Sequence, residues 1–258
     1  MKIPCQLTLD HYREILATAA QNFTLTNFAN HETALQQNKP VIILRHDLDS
    51  GLAPAIAMAK LENDLGISAT YFVQLHSDFY DAMSLAGSCD LRRLVEYGHE
   101  IGLHYDPTYY EAVGWDFREG IARDIELLAA IAGREVISVS RHLPLLSHQK
   151  IEYPPQVRHD AYNPKFINGH FKYLSDSNGV FREGCFCEHL STRRDYCFLT
   201  HPIWWVNAGQ DWREKLQQQM QNDCATVTAR IQEKIAQYER ILVKRADYDR
   251  EFKSRMNL

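Results

Sequence analysis

The sequence predicts an α/β protein whose parallel sheet is covered by helices, and two observations predict it. Three times a helical segment ends at a glycine (Gly66, Gly98 and Gly133), and a short apolar segment follows almost at once. These apolar segments are rich in β-branched and aromatic residues, as buried strands are. Repeated strand–helix units with short connections form parallel sheets, because a crossover is needed to bring the chain back to the same edge. About six or seven such strands fit either a barrel or an open sheet.

The first elements follow from the apolar pattern. An apolar stripe predicts helix within 7–36, and a β-branched run predicts a buried strand over 41–44. The next helix begins near Ser50, with Ser50 or Asp49 as its N-cap. It ends at Gly66, because glycine adopts at little cost the left-handed conformation found after helices.

The later elements alternate in the same way. The predicted strands are 67–75, 99–104, 136–140, 171–174 and 196–200, and the predicted helices among them are 91–97 and 117–132. The proline-rich stretch 143–170 has no periodic pattern, and long irregular loops inside compact domains are usually functional or flexible.

A long amphipathic C-terminal helix is predicted over about 210–245. Apolar side chains recur there at steps of four and three residues, at Leu216, Met220, Cys224, Val227, Ile231, Ile235, Tyr238 and Leu242. This stripe either packs on its own domain or forms a homodimer contact. No linker interrupts the chain, so we expect a single domain, 1–258, with a core of about 40–205.

The composition excludes several classes of protein. With 28 Lys+Arg against 33 Asp+Glu, the net charge of −5 argues against a nucleic-acid-binding protein held by bulk charge. No apolar run approaches the roughly 18–20 residues that span a bilayer. The polar N-terminal residues do not resemble a signal peptide, so we expect a cytoplasmic protein.

The six cysteines form no Cys-x-x-Cys pair. The cluster Cys185-Phe-Cys187-Glu-His189 suggests a metal site, but its spacing fits no usual zinc motif. We therefore predict buried, reduced thiols.

Ionisable residues follow the predicted strands more often than packing requires. Ligands of parallel α/β folds bind beyond the carboxyl ends of the strands, so these residues are the candidates for a site. They are Arg45, His46, Asp47, Asp49, His104, Tyr105, Asp106, Arg141, His142, Asp176 and His201.

Side-chain alternation places Arg45, Asp47 and Asp49 on one face and His46 on the other. Two carboxylates about 7 Å apart on one face repel each other unless a cation or a proton lies between them. A metal ion on one of them and a proton-accepting role for the other would resolve this repulsion. Alternatively, Asp49 only caps the following helix and Asp47 pairs with Arg45.

The remaining histidines have less support. His99 lies at the opposite end of its strand and is predicted to be structural, and His76, after the second strand, is a weaker site candidate. His189 belongs to the cysteine cluster. The histidines expected at the surface are His11, His31, His148, His159 and His170.

Taken together, five segments resemble the polysaccharide deacetylases with a NodB homology domain, which are metal-dependent carbohydrate esterases. They cover about residues 40–205 in the family's order. The segments are Leu44-Arg-His-Asp47-Leu-Asp49, Gly98-His-Glu-Ile-Gly-Leu-His104, Val139-Ser-Arg141-His142-Leu-Pro144, Ser175-Asp176-Ser177 and Leu199-Thr-His201.

The resemblance implies a distorted (β/α) barrel of about seven parallel strands that hydrolyses an N-acetyl group on a sugar with a divalent ion, expected to be zinc. It implies Asp49 and His104 as metal ligands, Asp47 as the base and His201 as the acid. Arg141 would hold Asp47 ionised, and Asp176 would support that pair. Trp204 and Trp205 would stack on a sugar ring or belong to the core.

One departure from the family concerns the metal ligands. The family places a second histidine four residues after the first, and here that position is Thr108. We expect His142 to replace the missing ligand, with Asp106 as the alternative. The segment His201-Pro-Ile-Trp-Trp205 resembles deacetylase-like proteins of surface-polysaccharide gene clusters, which implies a role in lipopolysaccharide O-antigen biosynthesis.

Two other functions remain open at this stage. The same fold serves other metal-dependent hydrolases of C–N bonds in small substrates. The broken histidine pair also fits a degenerate domain that binds a saccharide or a partner protein without catalysis. Glycoside hydrolysis by an acid pair is a weaker alternative, since it would not need the histidines.

Overall fold

The structure is a computed structural model that describes residues 5–144 and 151–255, apart from the side chain of Ser254. The chain divides into two units, Met1–Lys215 and Leu216–Leu258. The first unit contains the sheet and its covering helices, and the second contains most of the last helix.

The sheet of the first unit is a curled half-barrel in which every strand pair is parallel. Its strands are β1 (Thr24–Thr26), β2 (Val41–Leu48), β3 (Thr70–Val73), β4 (Glu100–Tyr105), β5 (Ser138–Arg141), β6 (His159–Asp160), β7 (Lys172–Ser175) and β8 (Tyr196–Thr200). Seven of them follow the order β6-β5-β4-β3-β2-β8-β7, and β1 pairs with the beginning of β2. The prediction of a distorted (β/α) barrel with terminal helices is confirmed.

Helices precede, connect and follow these strands. They are α1 (Leu9–Asn22), α2 (His31–Ala34), α3 (Leu52–Asp64), α4 (Leu85–Glu96), α5 (Pro107–Val113), α6 (Phe117–Ala132), α7 (Pro164–Ile167), α8 (Pro202–Val206) and α9 (Trp212–Arg255). The three predicted helix-ending glycines, Gly66, Gly98 and Gly133, have φ angles of 70°, 85° and 70°. Each therefore adopts the left-handed conformation that a side chain disfavours.

The sequence located long periodic elements better than short ones. Helix α6 has the predicted bounds, because Asp116 caps its N-terminus and Gly133 ends it. The predicted helical segment 7–36 is instead split, since α1 ends at Asn22 and β1 follows. The elements α5, α7, α8 and β6 were not predicted, because segments of two to seven residues are too short to show a period.

The two faces of β2 contribute to different cores. Ile42 and Leu44 pack with the helices in the larger apolar cluster. Val41 and Ile43 pack with Phe72 and other residues of the concave side in a smaller cluster. Farther along the concave face come Arg45 and then Asp47, as alternation predicts. The concave side of the sheet is thus apolar at one end and polar at the carboxyl end.

Gly102, the second glycine of the segment Gly98-His-Glu-Ile-Gly102, has a packing role on this concave side. A Cβ atom at Gly102 would lie 2.5 Å from the ring of Phe72. Glu100 accepts hydrogen bonds from the Thr70 hydroxyl at 2.6 Å and from the Ala29 N–H at 2.9 Å. These two residues of the segment therefore support the barrel and leave the chemistry to the residue at its end.

Most of helix α9 is exposed along its length. The apolar stripe includes Val227, Ile231, Ile235, Tyr238 and Leu242, which are 53–64% exposed. Within the described part of the chain, no helix combines the length and the apolar character needed to cross a membrane. The expected homodimer contact through this stripe stays a prediction.

Candidate metal centre

Three predicted ligand residues meet at the carboxyl end of the sheet. Asp49 follows β2, His104 lies near the end of β4, and His142 follows β5. Asp49 Oδ1 lies 3.1 Å from His104 Nε2 and 3.3 Å from His142 Nδ1, and the two ring nitrogens are 3.1 Å apart. One carboxylate oxygen and two imidazole nitrogens thus form a nearly equilateral triangle.

The dimensions of this triangle fit a divalent ion. Ligand atoms about 2.0–2.1 Å from a tetrahedral zinc ion are about 3.4 Å from one another. The observed separations of 3.1–3.3 Å are close to that value. The donor set, two histidines and one carboxylate, is one that catalytic zinc sites use, with a fourth position left for water. The residues present therefore fit the metal that the sequence implies.

The other ring nitrogen of His104 supports this assignment. His104 Nδ1 lies 3.1 Å from the carbonyl oxygen of Ser140, its partner in the β4–β5 register. A carbonyl only accepts hydrogen bonds, so Nδ1 carries a hydrogen and donates it. In the neutral ring Nε2 then presents a lone pair toward the Asp49 carboxylate, an arrangement that needs a cation or an additional proton. A backbone carbonyl on the distal nitrogen is the usual partner of a metal-ligating histidine.

The pKa of Asp49 is consistent with a ligand. Burial by itself raises this pKa, but the His104 and His142 rings beside the carboxylate, together with the nearby His201, bring the pKa well below its ordinary value. Asp49 is not a helix cap, because α3 is preceded by Gly51 and has no side-chain cap. The sequence left open whether Asp49 is a metal ligand or the N-cap of the following helix, and the structure excludes the N-cap.

Asp47 is held by a guanidinium and a hydroxyl. Arg45 Nη2 donates to Asp47 Oδ2 at 2.7 Å, and the Ser140 hydroxyl donates to the same oxygen at 3.1 Å. Burial raises the pKa of Asp47, but the charge and hydrogen bond of Arg45, together with the nearby His104 and His201, bring the pKa below its ordinary value. Asp47 is thus an ionised carboxylate whose Oδ2 lies 3.9 Å from His104 Nε2.

His201 forms a dyad with Asp176. His201 Nδ1 donates to Asp176 Oδ1 at 2.7 Å, and Trp205 Nε1 donates to Asp176 Oδ2 at 2.7 Å. Burial lowers the pKa of His201, but the Asp176 carboxylate, together with the nearby Asp49 and Asp47, raises the pKa to about 9. His201 Nε2 lies 3.6 Å from Asp49 Oδ2, so the protonated ring is beside the ligand triangle.

These groups border a cavity of about 560 Å³. Its wall includes the ligand triangle, Asp47 and His201. The other lining residues are Arg141, Leu143, Pro144, Tyr162, Tyr173, Leu174, Ser175, Ser177, Asn178, Arg182, Glu183, Gly184, Leu199 and Trp204. A volume of this size is within the range of small-molecule sites.

The two tryptophans after β8 have different environments. Trp204 lines the cavity, and its buried Nε1 has no hydrogen-bond partner among the described residues. Trp205 is 1% exposed, packs on Tyr12 and holds Asp176. Of the two, only Trp204 has contact with the cavity, and Trp205 belongs to the core.

The structure gives Arg141 and Asp176 partners that differ from those expected. Arg45, rather than Arg141, is the guanidinium that donates to Asp47, and Arg141 Nε donates to the Tyr105 hydroxyl at 3.2 Å. Asp176 orients His201 instead of supporting an Arg141–Asp47 pair. The pairing of Arg45 with Asp47 was one of the alternatives that the sequence left open.

Two weaker candidates lie outside the ligand triangle. Asp106 caps helix α5 and accepts hydrogen bonds from the N–H and the hydroxyl of Thr108, both at 2.8 Å. His76 stacks on Tyr109 with ring centroids 3.8 Å apart and contacts Asp124 at 3.0 Å. Neither lines the cavity. Of Asp106 and His142, it is His142 that joins Asp49 and His104.

Sequence reasoning placed several histidines at the surface that the structure buries. His31 is 1% exposed, and His159 is half-buried beside it. His11 Nε2 lies 3.3 Å from Cys185 Sγ, a contact over 174 residues that no local pattern indicated. His148 lies outside the described residues. His99 is structural as expected, since its ring contacts the carbonyl oxygen of Ala59 at 3.0 Å.

Searches for related proteins found similarity only at the level of structure. No protein-family model and no curated protein sequence matches the chain. A family 4 carbohydrate esterase from Bacillus anthracis is 15% identical, with a TM-score of 0.38, over 68% of this chain and 72% of that chain.

Two further solved structures are similar to a comparable degree. The chitin deacetylase of Colletotrichum lindemuthianum is 17% identical, with a TM-score of 0.41, over 70% of this chain and 81% of that chain. A CE4 family pseudoenzyme from Bacillus anthracis is 11% identical, with a TM-score of 0.42, over 73% of this chain and 62% of that chain. Identities and TM-scores of this size carry no information about activity or substrate.

Proposed function

We propose that this chain is a metal-dependent hydrolase that removes the acetyl group from an N-acetylated sugar. The observation that carries the proposal is the triangle of Asp49, His104 and His142, with separations of 3.1–3.3 Å, beside an ionised carboxylate and a protonated imidazole. Amide hydrolysis needs a base for the attacking water and an acid for the leaving nitrogen, and Asp47 and His201 supply these two groups.

Asp49, His104 and His142 would hold the ion, which we take to be zinc. When bound, such an ion lowers the pKa of a water molecule and polarises a carbonyl group. Asp47 accepts a proton from the attacking water, whose oxygen forms a bond to the acyl carbon. His201 then donates its proton to the sugar nitrogen as the C–N bond breaks, which yields acetate and a free amine.

The environment of each group suits its role. Arg45 keeps Asp47 ionised, so that Asp47 is ready to accept a proton. Asp176, with Asp49 and Asp47 nearby, raises the pKa of His201 to about 9, so that His201 carries a proton at neutral pH. Trp205 and the backbone N–H of His201 both donate to Asp176, at distances of 2.7–3.1 Å, and fix the dyad.

The cavity supports a sugar-sized substrate. Its volume of about 560 Å³ and its mixed polar and aromatic wall suit a saccharide unit. The Trp204 side chain lines this cavity and offers an aromatic surface on which a sugar ring could stack. We take the substrate to be a precursor of a surface polysaccharide such as an O-antigen, because the segment His201-Pro-Ile-Trp-Trp205 resembles proteins of such gene clusters.

Release of acetate tests this proposal. We expect the zinc-loaded protein to release acetate from N-acetylated hexosamine oligosaccharides. Asp47→Asn and His201→Gln should each lower the rate by about a hundredfold or more, the usual contribution of a positioned acid or base. His170→Gln is the matched control, since His170 is exposed and lies against Asp195, away from the cavity.

Two results would favour the other functions. Saccharide binding that survives Asp47→Asn, without acetate release by the metal-loaded protein, would indicate a binding domain. Hydrolysis of small non-sugar amides, with no acetate from acetylated sugars, would indicate a different C–N hydrolase.

A further inference from the structure

A second group of metal-ligating side chains lies outside the cavity. Cys5, His11, Cys185 and Cys187 each offer one ligand atom, and these four atoms all lie within 4.8 Å of one another. None of the four residues lines the cavity that holds the ligand triangle. We propose that these residues form a second metal site, which binds zinc in a Cys3His arrangement and ties the N-terminal segment to the loop after β7.

The distances within this group agree with tetrahedral coordination. With zinc–sulfur bonds of about 2.3 Å and zinc–nitrogen bonds of about 2.0–2.1 Å, sulfur atoms are about 3.8 Å apart and sulfur–nitrogen pairs about 3.6 Å. The Sγ atoms of Cys5 and Cys187 are 3.5 Å apart, and His11 Nε2 lies 3.3 Å from Cys185 Sγ. Three thiols and one imidazole form one of the common closed sets of structural zinc sites.

The histidine of the group is held as a ligand would be. Its Nδ1 contacts Glu14 Oε2 at 3.3 Å, one turn farther along α1. A carboxylate on the distal ring nitrogen fixes the tautomer and orientation of metal-bound histidines. In the neutral ring Nδ1 then carries the hydrogen, and the lone pair of Nε2 points toward the Cys185 thiol.

The backbone brings the two thiols of the loop together. Gly184 has a φ of 86°, which favours glycine, and it precedes Cys185 at the start of the short 3₁₀ turn Phe186–His189. His189, which the sequence places with these cysteines, instead lies 2.9 Å from the carbonyl oxygen of Glu183. The histidine of the cluster is therefore His11, which is distant from the two loop cysteines in sequence and adjacent to them in space.

A simpler explanation of the thiols accounts for less. A Cys5–Cys187 disulfide would use neither Cys185 nor His11. Apolar burial of reduced thiols does not explain Cys5, which is exposed, or the imidazole that faces Cys185. A zinc ion uses all four side chains and the Glu14 contact.

The site would also affect the cavity wall. Arg182, Glu183 and Gly184 line the cavity and directly precede Cys185. An ion on Cys185 and Cys187 would therefore fix the end of this wall to helix α1. The ion has a structural role, since four protein ligands leave no open position for a substrate.

Metal analysis of the full-length chain, purified with reductant and zinc, tests the proposal. We expect two zinc equivalents per chain, of which Cys187→Ser and His11→Asn each remove one. Asp49→Ala should remove the other and leave the thiolate site occupied. Cys89→Ser and Cys224→Ser are matched controls, because both cysteines are exposed and neither belongs to the cluster.

Cobalt substitution separates this site from the cavity, whose ligands include no thiolate. We expect intense thiolate-to-cobalt absorption in the wild type and in Asp49→Ala, and its loss in Cys5→Ser and Cys187→Ser. Since Cys5 is exposed, its replacement should not prevent folding, which circular dichroism can verify. Absence of this absorption in the reduced wild type, or its full retention in Cys187→Ser, would overturn the proposal.

Discussion

Two groups of side chains combine a carboxylate with histidines on opposite sides of β2. One is the ligand triangle, and the other is the Glu62 cluster, formed by Glu62, Tyr12, Tyr71 and His46. Their hydrogen bonding differs. Glu62 of α3 is fully buried and accepts hydrogen bonds from the hydroxyls of Tyr12 and Tyr71, both at 2.6 Å. His46 Nε2 lies 2.9 Å from the same carboxylate. Asp49, in contrast, is 30% exposed, and the ring nitrogens of His104, His142 and His201 surround it.

This difference separates a structural cluster from a reactive one. Each oxygen of Glu62 already has a hydroxyl donor, so this carboxylate needs no further partner. The ligand triangle brings a carboxylate oxygen and imidazole lone pairs together at the edge of a cavity, and a cation or protons must complete it. The presence of histidines beside a carboxylate is therefore less informative than the number of donors that the carboxylate already has.

The largest effect is expected when one ligand of the triangle is removed. Asp49→Ala should release the metal from the cavity and lower acetate release by about a thousandfold or more, since a metal ion contributes several kcal/mol to such a reaction. Glu62→Gln is the matched variant from the other cluster and should keep the metal. Inductively coupled plasma mass spectrometry measures the metal content. Equal metal content in the two variants would contradict the assignment of the ligand triangle, and not the Glu62 cluster, as the metal site.

For the free energy of unfolding, we expect the larger effect from the Glu62 cluster. Glu62→Gln should lower the free energy of unfolding by about 3 kcal/mol, because it disrupts a buried hydrogen-bonded network. Glu96→Gln, at an exposed position of α4, should change it by less than about 0.5 kcal/mol. Urea titration measures both values, and similar values for the two variants would contradict a structural role of Glu62.

The pH dependence of this stability has a defined sign. Burial raises the pKa of Glu62, but His46, together with His99 and the Tyr12 hydroxyl, lowers the pKa below its ordinary value of 4.5. A carboxyl group with a lowered pKa stabilises the fold above its unfolded pKa, and this contribution is lost as the pH falls through the folded pKa. The stability difference between the wild type and Glu62→Gln should therefore be complete at neutral pH and diminish below about pH 4.5.

The smallest effect is expected at Asp106, the alternative ligand that lies outside the triangle. Asp106→Ala should cost about 1 kcal/mol, the usual effect of removing an N-cap, and should leave the metal content unchanged. Asp106 is an N-cap of α5 in the structure, where it accepts from Thr108. Loss of metal in this variant would make Asp106 a ligand and would displace His142 from that role.

The sequence determined the direction of the strands and therefore the edge at which a site forms. Glycines at helix ends and β-branched runs are local signals, and they predicted β4, β5, β7 and β8 to within about two residues, whereas β2 continues four residues beyond the predicted 41–44. Alternation along β2 also separated Arg45 and Asp47 from His46, because the two-residue period of a strand is a local property. Strand direction also predicted that Asp49 and His104 lie at the same edge of the sheet, and the family resemblance singled out these two as ligands.

Only the tertiary structure decided which side chains complete each cluster. The choice of His142 over Asp106 depends on Asp106 turning into the cap of a helix too short to predict. The joining of His11 to Cys185 depends on a contact over 174 residues, which has no local signature. Local patterns fix backbone direction within one element, whereas ligand geometry depends on how separate elements pack, and that information lies in long-range contacts rather than in any single segment.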